Sequence, residues 1–358
     1  TVVNKIISYE SNPPVNPKYY RSTSFVACFE DQPFENNPPD LREDRNYVKT
    51  MEDIRKDMIK YEFDVDRFYI AAKSYSKEEK LKFRDGTPVP KDVKLSIDTI
   101  ENENIEKIMK KLISAVAEGR LIIAYRGHGE QTQWRLETQT TSFLTKTDLE
   151  NAILPDNCRT IVFSIACYTG KFNSDEEGEC LSEMLLKKKN GVASLIAATD
   201  ISPTWLNDDL MKALFDAMWP GIISTFPGNT ASYPIKYSRL GDILNYAKCY
   251  LPIKGGSNAV SIRQCLEQYH VIGDPTLELW KTKPRTLRIR AKLIKTYLYI
   301  TLSDCPNGGV LTIWNGDKML KRIEPSSMQL VFSLRDVELL SLPPREDPLT
   351  VCFWAPGH

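Results

Sequence analysis

Histidine is the scarcest residue in this chain, with three in 358 positions: His128, His270 and the terminal His358. Any histidine-dependent chemistry must therefore use one of these three. The eight cysteines (28, 158, 167, 180, 249, 265, 305 and 352) include no CxxC pair. That spacing excludes a zinc site of familiar type and does not read as a disulfide framework. No GxxxxGK[ST] occurs, which excludes a P-loop nucleotide enzyme, and no GxSxG, which disfavours an α/β-hydrolase. Neither charge sign is in excess: 47 basic and 47 acidic side chains cancel, so neither nucleic acid nor an anionic membrane is indicated as a partner. No apolar run reaches the ~20 residues a membrane helix needs. The opening TVVNKIISYE lacks the basic and apolar regions of a signal peptide. From these residues the chain reads as cytosolic, or as one whose targeting segment has been removed.

What is present is ordinary globular composition, 42% hydrophobic and 26% charged, in a length that fits two or three domains. The segment through Pro13–Pro17 reads as an extended lead-in. Ser24–Phe29 reads as a buried strand ending in an acidic, Pro-rich loop, Glu30–Asp40. Helical spacing over residues 42–61 is followed by a strand at Asp66–Ala72, a polar loop, and a helix from about Asn104 to Ala117. Three short apolar runs then alternate with helical patterns: Leu121–Tyr125, Thr160–Ala166 and Val192–Ala198, with helices at Gly178–Lys189 and Asn207–Trp219. Near-continuous apolar strands separated by helices predict a parallel sheet covered on both faces. Ala259–Tyr269 reads as a helix and Thr276–Trp280 as a last strand. Beyond Lys281-Thr-Lys-Pro-Arg285, short alternating runs and turns such as Pro306-Asn-Gly-Gly309 describe a small β-sandwich.

Two of the apolar strands end alike. One runs from Leu121 to Tyr125-Arg-Gly-His128-Gly129, the other from Thr160 to Ala166-Cys167. Ligands of open α/β sheets bind outside the carboxyl ends of the strands. If the two strands are neighbours, His128 and Cys167 emerge at one rim. A thiol near its free pKa of ~8.5 is only slightly ionised at neutral pH, and a nearby imidazole can take its proton. The same imidazole can later protonate a leaving amine. The backbone N–H groups of Gly129 and Cys167 are the expected oxyanion hole. Taken alone, a cysteine after an apolar strand is more often a small buried hydrophobe. The pairing at matching strand ends is what favours catalysis. His270, in Gln268-Tyr-His-Val-Ile-Gly273, is read as structural.

These residues resemble the gingipain family of cysteine peptidases, whose core is caspase-like. Tyr125-Arg-Gly-His-Gly-Glu130 with Trp134 is similar to the family's histidine motif, and Ala166-Cys-Tyr-Thr-Gly-Lys-Phe172 to its nucleophile motif. Glu179–Met184, Gly191–Thr199, Ile272-Gly-Asp-Pro-Thr-Leu277 and the opening Ile7–Pro13 follow in the family's order. The resemblance implies a caspase-like α/β peptidase with a parallel sheet flanked by helices in two subdomains, residues 1–118 and 119–283. An immunoglobulin-like β-sandwich over 284–358 follows. It also implies an endopeptidase acting after a basic P1 residue, Lys or Arg, with Trp205 lining the S1 pocket and Asp208 as its acid. From the residues alone, Trp205 is equally a packing aromatic and Asp208 a first-turn helix acid.

The resemblance further implies protein or peptide substrates, a monomer, a secreted or surface-exposed bacterial protein, no cofactor required for catalysis, and structural calcium as a possibility. Two departures stand out. The 39 positions between His128 and Cys167 (167 − 128) suggest an insertion within Gln131–Thr145. No acid orienting His128 can be placed, with Asp66, Glu78, Glu79 and Asp85 as loose candidates, so the site reads as a Cys167–His128 dyad. The rival reading is a non-catalytic surface-binding or adhesion protein built on a peptidase-like core.

Overall fold

The computed structural model describes residues 2–31, 40–71, 80–99, 102–135, 142–151, 160–173, 178–221, 236–254, 258–284, 286–306, 308–333, 335 and 349–355. The chain divides into two compact units, Thr1–Lys281 and Thr282–His358.

The first unit begins with α1 (Val2–Ser11), β1 (Ser22–Phe29), α2 (Tyr47–Ile59), β2 (Asp64–Ala71), α3 (Lys91–Lys94), β3 (Ile97–Thr99) and α4 (Asn102–Glu118). Next come β4 (Ile122–Arg126), a small antiparallel sheet of β5 (His128–Glu130), β6 (Gln133–Arg135) and β7 (Ser142–Thr145), α5 (Lys146–Asn151) and β8 (Ile161–Ile165). It ends with α6 (Leu181–Lys187), β9 (Ser194–Ala198), α7 (Thr204–Met218), α8 (Leu240–Lys254), α9 (Ala259–Gln268) and β10 (Tyr269–Ile272).

One seven-stranded sheet, in the order β10-β9-β8-β4-β1-β2-β3, organises this unit. All neighbours pair in parallel except β10, which runs antiparallel to β9 at the edge. Every residue of β1, β4, β8 and β9 is buried. That two-sided burial is why these strands read as continuous apolar runs rather than alternating ones. The division expected near residue 118 does not separate two bodies. β1, from the N-terminal part, sits between β4 and β2, so residues 1–118 and 119–283 contribute to one sheet.

Three local expectations are corrected. The opening segment is a helix, not an extended lead-in: Val2, Ile6 and Tyr9 share one face and pack on the core. A helix this short is marginal alone, and docking holds it. The Trp280 indole N–H donates to the Tyr9 carbonyl at 2.9 Å, and the Trp280 amide to the Tyr9 hydroxyl at 3.1 Å. Thr276–Trp280 is not a strand. The Asp274 carboxylate accepts from the Thr276 amide at 2.8 Å and turns the chain, and Glu278 makes only an isolated bridge to Arg239. The edge position belongs instead to β10. The helix expected from Asn207 begins earlier, at Thr204, behind Pro203, a residue suited to helix starts because it needs no amide partner.

The second unit contains β11 (Ile289–Ile294), β12 (Tyr297–Leu302), β13 (Val310–Asn315), β14 (Lys318–Ile323), β15 (Gln329–Ser333) and β16 (Leu349–Trp354). They form two three-stranded antiparallel sheets, β11-β12-β15 and β14-β13-β16. Leu298, Ile300 and Leu302 of one sheet and Leu311 and Ile313 of the other share a single core. Their alternation along β12 and β13 is that of a two-layer sandwich.

Candidate active site

Parallel register brings three strand ends to one level. Arg126 of β4 is paired with Ala27 of β1 on one side and Ile165 of β8 on the other. Two residues beyond that level stand His128 and Cys167, and three residues beyond Ala27 stands Glu30. The order across the sheet is therefore Glu30, His128, Cys167, with the histidine's strand in the middle.

The His128 imidazole Nε2 lies 2.9 Å from the Glu30 carboxylate. Glu30 is almost wholly buried, whereas a quarter of the His128 side chain is exposed. A carboxylate only accepts, so this nitrogen carries the proton, and the other ring nitrogen is left to accept one. The ring also meets Tyr47 edge-on, with centroids 5.5 Å apart. Glu30 is the acid that sequence reasoning did not place. Asp66 instead pairs with Arg120 and accepts from the Ser24 hydroxyl, and Asp85 accepts from Thr87. Glu78 and Glu79 lie outside the described residues. The signal was available: Glu30 follows a buried strand, the rule that singled out the other two residues. Glu30 thus stands against His128, with Cys167 at the end of the next strand.

The histidine turn is braced from beneath. The Tyr125 hydroxyl reaches the carbonyls of His128 and Arg135, each at 2.6 Å, and its ring stacks on Trp134 at 4.3 Å. The Trp134 indole donates to the Ser164 hydroxyl at 2.8 Å, which in turn bonds the Thr169 hydroxyl at 2.8 Å. The segment Gln131–Thr145, where an insertion was expected, holds β6 and β7, and its residues 136–141 lie outside the described ones. Gly129 has no room for a side chain, since a Cβ there would sit 2.5 Å from the Cys167 carbonyl oxygen. Gly129 and Cys167 are thus in backbone contact.

Cys167 is followed by Tyr168 in a left-handed conformation, φ 61°. Such a backbone is uncommon outside glycine and costs on the order of 1–3 kcal/mol. The turn is held by the Tyr168 amide on the Asp200 carbonyl and the Gly170 amide on the Ala198 carbonyl, at 3.3 and 2.8 Å. The Ser202 amide donates to Cys167 Sγ at 3.4 Å. Ser202 is itself fixed: its hydroxyl accepts from Asn207 at 2.7 Å and from the Tyr269 hydroxyl at 3.1 Å. By contrast, burial pushes the Cys180 thiol up to about 11 and Cys265 up to about 12, which keeps both as inert thiols at neutral pH.

Beside these groups lies a cleft of about 280 Å³ lined by Arg45, Tyr47, Arg126, Gly127, His128, Cys167, Ser202, Thr204, Trp205 and Asn207. Trp205, half exposed on the first turn of α7, lies on its wall. Asp208 does not line it. Its carboxylate accepts from Arg126 Nε at 2.9 Å, and both side chains are buried. The Arg126 guanidinium also donates to the Thr204 carbonyl at 2.5 Å and stands over the Tyr47 ring, 4.5 Å from its centroid. Burial works against the Arg126 charge, but Asp208, Tyr47 and Tyr269 together outweigh it and hold the pKa above the usual value. Asp208, expected as the acid of the S1 pocket, is paired with Arg126 and is not among the residues lining this cleft. His270 stands apart on β10, against Phe172. Among the described residues no group of three or more His, Cys, Asp or Glu side chains is placed to hold a metal ion.

The model of peptidase family C25 matches residues 1–280. The chain belongs to that family. Gingipain R1 of Porphyromonas gingivalis is 24% identical over 226 residues, which is 59% of this chain and 20% of that protein. The chain thus spans about a fifth of the curated relative's length. Among solved structures, the Arg-specific cysteine proteinase gingipain R has a TM-score of 0.63 at 17% identity, over 93% of this chain and 65% of that one. A complex of the pro- and mature domains of Porphyromonas gingivalis RgpB is similar at TM-score 0.63 and 16% identity, over 93% and 66%. At such identity the structural likeness carries the fold. Family C25 is a family of peptidases. No helix among the described residues is long and apolar enough to cross a membrane.

Proposed function

We propose that this chain is an active cysteine endopeptidase in which Cys167 is the nucleophile, His128 its base and Glu30 the group that orients the histidine. The single observation that carries this reading is the succession Glu30, His128, Cys167 at the ends of three adjacent parallel strands. In this reaction the Cys167 proton passes to His128 and the thiolate attacks the scissile carbonyl carbon. The developing oxyanion is met by the amides of Gly129 and Cys167. Each such donor is worth about 3 kcal/mol of barrier in comparable sites. The imidazolium then protonates the leaving amine, and water admitted by the same base hydrolyses the thioester. The Ser202 amide, donating to Sγ at 3.4 Å, helps hold the sulfur in place.

The resemblance carried a basic P1 preference through Asp208. The pairing of Asp208 with Arg126 tells against that part. Secretion or surface exposure, a monomeric state, an immunoglobulin-like assignment for residues 284–358, independence from any cofactor in catalysis and a structural calcium site complete the reading drawn from the family. The deciding experiment is hydrolysis of a mixed peptide library by the wild-type chain and Cys167→Ala, alongside an electrophilic peptide inhibitor. Loss of cleavage in the variant and labelling of Cys167 are expected. Hydrolysis that survives the substitution would overturn the assignment. Labelling of other thiols alone, with no cleavage, would favour the surface-binding reading.

A further inference from the structure

Glu30 sets which way the His128 ring is turned, through one contact at Nε2. A single hydrogen bond still leaves a ring free to tilt and rock about it, and a quarter of the His128 side chain is exposed, on the wall of the cleft. Its chain neighbours give no lateral support, because Gly127 and Gly129 carry no side chains. Lateral support comes instead from Tyr47, the first residue of α2. This side chain is almost wholly buried and packs against the imidazole at 87°, with centroids 5.5 Å apart. Resting on the peptidase reading above, we propose that Tyr47 is a positioning residue for His128, and that the buried Arg126–Asp208 pair is the footing that holds Tyr47.

Three features support this assignment. Tyr47 is itself fixed at two points: the Arg126 guanidinium covers its ring at 4.5 Å, and its hydroxyl lies 3.3 Å from the Thr204 hydroxyl. Arg126 is anchored in turn, with Nε on the Asp208 carboxylate at 2.9 Å, Nη1 on the Ile165 carbonyl at 3.5 Å and Nη2 on the Thr204 carbonyl at 2.5 Å. A buried ion pair is often no better for stability than apolar residues of the same volume. Here the planar guanidinium has an aromatic ring to carry. Finally, perpendicular packing of two rings does not depend on a proton. The contact therefore persists while His128 takes up and returns the Cys167 proton, whereas the bond to Glu30 strengthens only when the ring is charged. A base displaced by about 1 Å can lose on the order of 100-fold in rate, so lateral support has a catalytic consequence.

The test uses the full chain with Tyr47→Leu, which removes the ring, and Tyr47→Phe, which keeps it. Its first arm is nuclear magnetic resonance in a Cys167→Ala background and needs no turnover. With three histidines in the chain, the His128 ring signals are assigned by their loss in His128→Gln. The ring nitrogen shifts read the tautomer and carbon relaxation reads the order of the ring; neither change follows merely from losing a neighbouring ring current. One tautomer and an ordered ring are expected with Tyr or Phe at position 47, and a mixed tautomer or a disordered ring with Leu. Asp208→Asn, which loosens Arg126, is expected to lower the order of the ring less than Tyr47→Leu does, and no change there overturns the part assigned to the ion pair. In the kinetic arm, kcat of Tyr47→Leu is expected to fall on the order of 10- to 100-fold, with Tyr47→Phe within about threefold of wild type. Because Tyr47 also lines the cleft, calorimetric binding of the same peptide to the Cys167→Ala forms is measured alongside, and is expected to change by less than about threefold. If the ring is disordered only in Tyr47→Leu yet even the wild type cleaves nothing, the peptidase reading fails and the positioning role stands. An ordered, single-tautomer His128 in Tyr47→Leu overturns the proposal, as does equal disorder in Tyr47→Phe, or a kcat unchanged in Tyr47→Leu. Tyr47→Met, closer to tyrosine in reach, takes the same tests should Tyr47→Leu fail to fold.

Discussion

Glu30 and His128, 98 positions apart in sequence, meet at 2.9 Å because their strands are neighbours in the sheet. The buried carboxylate meets one ring nitrogen and so fixes how the ring is turned. Glu30→Gln keeps the shape but lets the ring choose the wrong tautomer. We expect kcat to fall on the order of 10²- to 10⁴-fold with KM little changed. Steady-state kinetics on the best peptide, with circular dichroism to confirm folding, would measure it; a change within twofold would remove Glu30 from the mechanism.

Gly129 touches the Cys167 backbone so closely that any side chain must move one of them. Gly129→Ala is expected to cost about 1–3 kcal/mol in stability and to impair turnover more than substrate binding, because the displaced groups are those that meet the oxyanion. Urea unfolding and a separation of kcat from KM would show both effects. Unaltered kinetics would mean the two amides do not act together.

The Arg126–Asp208 pair makes a stability prediction independent of substrate. Arg126→Met leaves a buried carboxylate without its partner and should destabilise the first unit by about 3–5 kcal/mol. Adding Asp208→Leu should recover a large part of that loss, since neither charge then needs compensation. A double-substitution cycle in urea tests it. Additive losses would show that the two side chains are not energetically coupled.

His270 is neutral in the folded chain over a wider range than free histidine, because burial and then Lys248 lower its pKa below 6.5. An unfolded chain takes up this proton first as the solution is acidified. Stability from this group is therefore present above 6.5 and lost progressively as pH falls below it. His270→Gln should flatten the decline in thermal midpoint between about pH 6.5 and 5, and peptide hydrolysis should be nearly unchanged because the residue is outside the cleft. A hydrolysis rate that collapses in this variant would contradict the structural role.

The strand-end rule read the sheet and two of the three site groups from β4 and β8, whose burial on both faces leaves an unbroken apolar signature. The same rule applied to β1 would have reached Glu30, but nothing local says which two strands flank β4. That order is a property of the whole sheet. The Arg126 partner of Asp208 was hidden for a related reason. Its sequence neighbours describe a helix start, while its partner lies 82 positions earlier on another strand. α1 was hidden because its stabilisation comes from Trp280, at the far end of the unit. α8 was not anticipated at all: its apolar residues are spread around Gly241 and Pro252 with weak periodicity.

The central place of β1 bears on when this molecule can first act. The strand can pair with β2 soon after it is made, but its other neighbour, β4, is synthesised nearly a hundred residues later. β8, which carries the nucleophile turn, and β9, which anchors that turn, come later still. Long-range parallel pairing of this kind forms slowly. A growing chain therefore holds Glu30, His128 and Cys167 on separate pieces until most of the first unit has been made, and the proposed site cannot assemble before then.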